Sequence, residues 1–500
     1  MMFETIAAVD LGSNSFRLQV GRVVDNQIYP LDSLKSGVRL ASGLTPDKRL
    51  DDASQQRALA ALAVFGERLR GMEPGAVRAV GTNALRVAKN APEFLMQAQQ
   101  ALGFPIEVIA GREEARLIYI GASHSLPSSP NKRLVVDIGG GSTEFIIGKR
   151  HAPQTMESLY MGCVSYSEQY FPGGRIDKKR LREAQAAAAQ ELELIAADYR
   201  RLGWNEAIGS SGTARAIADV LEMNNFNPNG ESGITRVGLE RMCAALIKAG
   251  SAEASSLNGI RTDRLPVLPG GMAIMLATLE ELDIEHMSYS DGALRLGVLY
   301  DMLGRFHQHD MRDSTVAHFM RRYQVDTEQA ERVRRTALAA LEQLSDGAPA
   351  EEDVRFLSWA ASLHEIGISV AHNAYHKHGA YILTYADMPG FSRKEQARMA
   401  ALVLGHRGKL EKMLSVPGEV FDWRLLFCLR LATLLHRSRD DRVLPQWRVR
   451  AEPRGYRLEL PADWLAGNPW TAAALKEGEV FWQRIGLDFK VDTVRSKART

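Results

Sequence analysis

Apolar and polar positions alternate differently in the two halves of this chain. In the first half, short apolar runs predict strands at Thr5–Asp10, Leu18–Val24, Arg78–Gly81 and Ile106–Ala110, with amphipathic helices at Gln55–Arg70 and Ala91–Leu102. That alternation predicts an α/β sheet layered with helices. A Ser- and Pro-rich stretch, Ser125–Lys132, reads as a linker. The pattern then restarts with strands at Leu134–Asp137 and Thr143–Ile147, an Ala-rich helix at Lys179–Arg201, a strand and turn at Ala207–Gly212 and a helix from Thr213. After about Arg312 the strand signals nearly vanish, and helical periodicity marks Ser314–Tyr323, Thr327–Leu344, Asp353–Leu363, Ser392–Leu404 and Asp422–Ser438. A last piece, Trp447–Leu460 and Leu487–Asp492 around a helix at Trp470–Gly486, reads as a small α+β module. The expected domains are therefore 1–124 and 125–311, both α/β, then 312–442, all-α, and 443–500, α+β.

Two of the predicted strands end alike. DLGSNSFRL begins at Asp10 and DIGGGSTEF at Asp137, 127 residues later. In each, an Asp closes the strand and is followed by glycine and hydroxyl residues, a turn that offers backbone N–H groups and hydroxyls to a phosphate. The repeat implies a duplicated fold whose halves grip one phosphate chain from opposite sides. Gly139, Gly140 and Gly141 allow close backbone approach, Ser142 and Thr143 add hydroxyls, and Ser13, Asn14 and Ser15 do the same from the other half. Asp137 and Glu144, with Asp10 opposite, are the candidate ligands for Mg²⁺ or Mn²⁺, because hard oxygen donors on separate loops leave positions for water and phosphate. Arg17 and Arg86 can each make bidentate contacts to a phosphate.

Such a grip on phosphates is compatible with transfer or with hydrolysis, and hydrolysis would also need a held water. Glu113 and Glu114 follow the Gly111–Arg112 turn at the start of a predicted helix, where acids also complement the helix dipole. Helical geometry puts Glu114 on one face with Leu117, Ile118 and Gly121, whereas Glu113 is placed to cap the helix or pair with Arg116.

Composition narrows the class. The chain has 500 residues, 45% hydrophobic and 24% charged, as an ordinary soluble protein of several domains has. No apolar run reaches the roughly 20 residues that span a bilayer, and the start MMFETIAAVD lacks a signal-peptide layout. Cys163, Cys243 and Cys428 are too few and too scattered for a disulfide framework or zinc knuckle, so the expected compartment is the cytoplasm, its inner-membrane surface included. Net charge is only +2, but Arg393–Arg450 holds 13 Lys/Arg against 6 Asp/Glu. That surplus is either a solvated basic face or an attractor for a polyanion.

DLGSNS, GREEARL (Gly111–Leu117) and DIGGGSTE together resemble the exopolyphosphatase/guanosine pentaphosphate phosphohydrolase family of the actin/Hsp70/sugar-kinase superfamily. TNALR (Thr82–Arg86), MGCVS, YFPGG, GSSGTAR and SDGALRLGVLY extend the likeness over roughly the first 300 residues. Leu296 departs from it, standing where Glu is common. The resemblance implies a duplicated actin-like (ribonuclease H-like) core and assigns catalysis to the second Glu of EEARL, which is Glu114. It brings Thr82 and Gly212 into the phosphate-binding set, and it implies a homodimer. The helical region, with His364–Glu365, His378 and His406, is similar to HD phosphohydrolases. Glu365 replaces the usual Asp of the His-Asp pair, and Thr433 stands where a later Asp is expected, so a degenerate, metal-free HD-like domain is expected.

The expected function is exopolyphosphatase, releasing orthophosphate processively from inorganic polyphosphate, with guanosine pentaphosphate 5′-phosphatase as the alternative. An ATP-dependent kinase or actin-like nucleotide switch, and a non-enzymatic sensor, stand further off. Nucleic acid is not an expected partner.

Overall fold

A computed structural model describes residues 3–494 except 25–26, 128, 307–310, 387, 419 and 442. Ser128 in the expected linker and Arg442 at the last expected domain boundary thus lie outside the described residues. The chain forms two compact units, 1–310 and 311–500.

The first unit holds two sheets. In one, β1 (Thr5–Leu11), β2 (Phe16–Val24), β3 (Gln27–Ser36), β4 (Val77–Gly81) and β5 (Ile106–Val108) run in the order β3-β2-β1-β4-β5. In the other, β6 (Lys132–Ile138), β7 (Thr143–Lys149), β8 (Ala152–Leu159), β9 (Glu206–Ser210), β10 (Ile234–Thr235) and β11 (His286–Tyr289) run in the order β10-β11-β9-β6-β7-β8. Each has an antiparallel three-strand meander whose first strand then pairs in parallel, β1 with β4 and β6 with β9. The matching strand order and direction are the duplicated actin-like core.

Local sequence accounts for most of these elements. β4 is buried at every position, as a central parallel strand covered on both faces must be. The helix Asp52–Leu69 starts where the Asp51 carboxylate accepts from the Ser54 N–H, and the helix Ala91–Leu102 ends at Gly103 with φ +81°. β3 and β8, which periodicity missed, are outer strands with interleaved polar residues and a Pro each, Pro30 and Pro153. An outer strand buries little, so its apolar alternation is faint.

The helix Gly111–Ser125 is held by buried charges. Arg116 donates to Glu113 at 2.7 and 2.8 Å and to Asp301 at 2.6 Å, while Arg78 donates to Asp301 at 2.7 Å. Gly121 and Gly297 let this helix and the helix Leu294–Phe306 touch backbone to backbone; a Cβ on Gly297 would sit 1.7 Å from the Leu117 carbonyl oxygen.

The second unit is mainly helical, with helices at Met311–Arg322, Thr327–Gln343, Glu351–Leu363, Tyr375–Tyr385, Arg393–Gly405 and Trp423–Leu435. β12 (Arg448–Glu452), β13 (Gly455–Pro461) and β14 (Asp488–Val494) form a small sheet backed by the helix Pro469–Arg484. That α+β module shares one core with the helices: Leu458, Trp482 and Phe489 cluster with Leu425 and Phe427. No described helix is long and apolar enough to cross a membrane.

Candidate active site

The two Asp-ended strands bring their loops together inside the first unit. A Cβ on Gly140 would lie 2.9 Å from the Ser13 Cβ and 3.1 Å from the Asn14 nitrogen, so only glycine lets the loops approach this closely. The cavity at that meeting point is lined by Asp10, Ser13, Asn14, Ser15 and Arg17 from the first loop. Asp137, Gly139, Gly140 and Ser142 line it from the second, and Thr82, Glu114 and Gly212 complete the expected members. Hairpin register explains the charges: Asp10 stands opposite Arg17, whereas at the equivalent places in the second sheet Asp137 stands opposite Glu144.

Four expected residues stand outside the cavity lining. Arg86 does not reach into the cavity; it donates to Glu114 at 2.7 Å and to the Ile109 carbonyl at 3.1 Å, orienting the carboxylate. Thr143 is wholly buried and its hydroxyl donates to the Met161 carbonyl at 2.6 Å. Gly141 lies against Asn83, where a Cβ would meet the Asn83 Oδ1 at 2.5 Å. Glu144 is buried behind the loop and accepts from Ser158 at 2.8 Å. Glu113, tied to Arg116, points away from the cavity that Glu114 enters.

Among the lining residues that the sequence did not assign to the site are Arg264, Arg295 and Ser211. Arg264 and Arg295 join Arg17 as cations of the cavity. Arg264 is buried with its Nε unpartnered. Burial holds its guanidinium below the usual value, and burial together with the neighbouring Arg17 brings Arg295 down to about 10. A Cβ on Gly212 would sit 1.9 Å from the Arg264 guanidinium, so that glycine makes room for a cation. Ser211 adopts φ +78°, a left-handed conformation that costs a non-glycine residue about 1–3 kcal/mol. Its hydroxyl donates to the Ile138 carbonyl at 3.1 Å, and the turn aims the start of the helix Ser211–Met223 at the cavity, as anion sites require. The signal for Arg295 was present, inside SDGALRLG. Arg264 carried none, because its loop shows no periodicity.

Burial first, and then one another's charge, disfavours ionisation of these carboxylates. Burial lifts Asp10 to about 6 and Asp137 to about 7, with Glu114 adding repulsion to both, and burial with Glu114 and Asp137 raises Glu144 well above the usual range. The Oδ1 of Asp10 is buried without a hydrogen-bond partner. A cation bound there would relieve such crowding. Among the described residues no three His, Cys, Asp or Glu side chains are arranged to hold one metal ion. The donors therefore fit Mg²⁺ or Mn²⁺ bound by one or two carboxylates, with water and substrate oxygens filling its shell.

Chemically, this set of loops, guanidiniums and acids is suited to work on phosphoanhydrides.

Comparison with known proteins agrees. The Ppx/GppA phosphatase family matches residues 19–306, and its domain III matches residues 311–479. A guanosine-5′-triphosphate,3′-diphosphate pyrophosphatase from Aeromonas hydrophila subsp. hydrophila is 38% identical over 483 residues, covering 94% of this chain and 95% of that protein. Among solved structures, the Aquifex aeolicus Ppx/GppA family member shares 26% identity with a TM-score of 0.50, covering 60% of this chain and 98% of that one. An exopolyphosphatase from Cytophaga hutchinsonii shares the fold, at 23% identity and a TM-score of 0.54, over 60% of this chain and 98% of that one. Loops, cleft and comparisons lead to one conclusion: this chain belongs to the Ppx/GppA phosphatase family and is a hydrolase of phosphoanhydride bonds.

Proposed function

We propose that this protein removes the terminal 5′ phosphoryl group of guanosine pentaphosphate, with Glu114 activating water. The reading is carried by the end-to-end likeness, at 38% identity, to a relative named for that nucleotide. It reverses the order expected from sequence, which put polyphosphate first.

In this reading Glu114, fixed by Arg86, accepts a hydrogen bond from the attacking water and takes its proton as the water oxygen bonds to the terminal phosphorus. The bond from that phosphorus to the bridging oxygen breaks, giving orthophosphate and a nucleotide one phosphoryl group shorter. Arg17, Arg264 and Arg295, with the hydroxyls and N–H groups of the loops, bear the phosphate charge. Asp137 and Asp10 would hold a divalent cation, which neutralises phosphate oxygens when bound.

Inorganic polyphosphate is the second reading, favoured by the Lys/Arg surplus of Arg393–Arg450. Initial rates of phosphate release, measured side by side without any acceptor, decide between them. A kcat/KM at least tenfold higher on guanosine pentaphosphate is expected. The reverse ratio makes the protein an exopolyphosphatase, and phosphate release from neither excludes both.

A further inference from the structure

The second unit encloses a cavity of about 510 Å³, within the range of small-molecule sites. Among the described residues, four arginines, Arg407, Arg430, Arg437 and Arg439, share its lining with two acids, Glu365 and Glu477. Glu365 is already paired with Arg439.

Arg430 is the revealing member. It is buried, donates only to backbone, at 2.9 Å to the Gly405 carbonyl and 2.5 Å to the Gly408 carbonyl, and makes no ion pair among the described residues. Burial lowers its guanidinium to about 10. Burial, with repulsion from Arg430 and Lys377, brings the neighbouring Lys412 down to about 7. A buried cation without an ion pair is costly, with Glu477 the acid that acts on Arg430, and an arriving anion relieves that cost. Guanidiniums suit a phosphoryl group in particular.

The same cavity also offers acceptors. His364 and His406 each donate Nδ1–H to a backbone carbonyl, of Ala361 and Val403, both at 2.6 Å. Burial keeps both rings neutral, so each Nε2 is an acceptor. The Nε2 of His406 faces the Tyr375 hydroxyl at 3.4 Å. That of His364 stands 3.8 Å from the Glu365 carboxylate, beyond hydrogen-bond distance. A ligand for this place therefore needs O–H or N–H donors as well as negative charge. Aromatic surface is present too, the Phe481 ring 5.4 Å from the Arg430 guanidinium and the Tyr375 ring 5.0 Å from that of Arg407. A metal is the poorer occupant, since no three ligating side chains converge among the described residues.

We propose that this cavity is a second ligand site, for a nucleoside phosphate: its phosphoryl group meets Arg407, Arg430 and Arg437, and its hydroxyl or N–H donors meet His364 and Glu365. The site lies wholly within residues 329–481, apart from the catalytic residues, and does not depend on which substrate the cleft takes.

Calorimetric titration of the full-length protein with GDP, and separately with pyrophosphate, tests it. Arg407 and Arg437 are exposed, so Arg407→Gln/Arg437→Gln leaves the core intact. Wild type is expected to bind GDP at two sites per chain. The double variant is expected to weaken one of them at least tenfold, with hydrolytic turnover unchanged. In the wild type alone, the ring signals of His364 and His406 should shift with GDP in heteronuclear NMR spectra. GDP should bind that site at least fivefold more tightly than pyrophosphate. Equal affinity for the two probes, or GDP binding and His signals indifferent to the double variant, overturns the proposal.

Discussion

Replacing Glu114 with Gln removes a charge while keeping the side chain's shape and its contact with Arg86. If Glu114 takes the proton of the attacking water, turnover falls by about 10²–10⁴, which raises the barrier by roughly 3–5 kcal/mol. Stability responds less than the loss of a buried partner suggests. Breaking a buried ion pair by removing one member ordinarily costs about 3–5 kcal/mol. Here Arg86 keeps the attraction of Glu144, while Asp10, Asp137 and Glu144 each lose a repelling neighbour. The variant should therefore unfold in urea with a loss well below that figure. Its KM should change little, because the phosphate loops and guanidiniums are untouched. Steady-state phosphate release gives kcat and KM, and denaturation monitored by fluorescence gives stability. Turnover within tenfold of wild type would refute the assignment. The remaining carboxylates of the cavity, Asp10 and Asp137, would then be the next candidates, since Glu113 is committed to Arg116.

Activity should vanish in EDTA and return with Mg²⁺ or Mn²⁺, and Asp137→Asn should raise the metal concentration giving half-maximal rate; full activity in EDTA contradicts this. Arg295→Gln and Arg264→Gln should each lower kcat/KM by about tenfold or more, as loss of a charge-assisted contact of about 1.5–3 kcal/mol predicts, without unfolding the protein. Residues 1–310 expressed alone should fold and keep hydrolytic activity, because every core cluster lies within one unit or the other; circular dichroism and phosphate release check it. In the second unit, His364 and His406 are held neutral by burial among Glu365, Tyr375, His376, Lys412 and Arg439. Their folded values lie below the unfolded one of about 6.5, so the unfolded chain binds more protons below that pH. Acidification from pH 7.5 to 5 should destabilise this unit, and His406→Gln should flatten the dependence seen in urea titrations.

The loops at Asp10 and Asp137 were legible in the sequence because their chemistry is local: a strand end, glycine where backbone must approach, and hydroxyls at the turn. The same held for most strands and helices, since apolar periodicity records which face each element buries. Glu114 could be separated from Glu113 by helical geometry together with the family motif. Tertiary structure decided what depends on partners far along the chain. Arg86 turned out to hold Glu114 instead of lining the cavity, and Thr143 gave its hydroxyl to Met161. Arg264 entered the cavity from a loop with no pattern, through a gap left by Gly212. That Arg430 is buried and donates to backbone carbonyls is likewise invisible in a sequence rich in arginine. Whether a charge is buried, paired or alone depends on packing between distant segments, and burial is what turns an ordinary arginine or aspartate into one that needs a ligand.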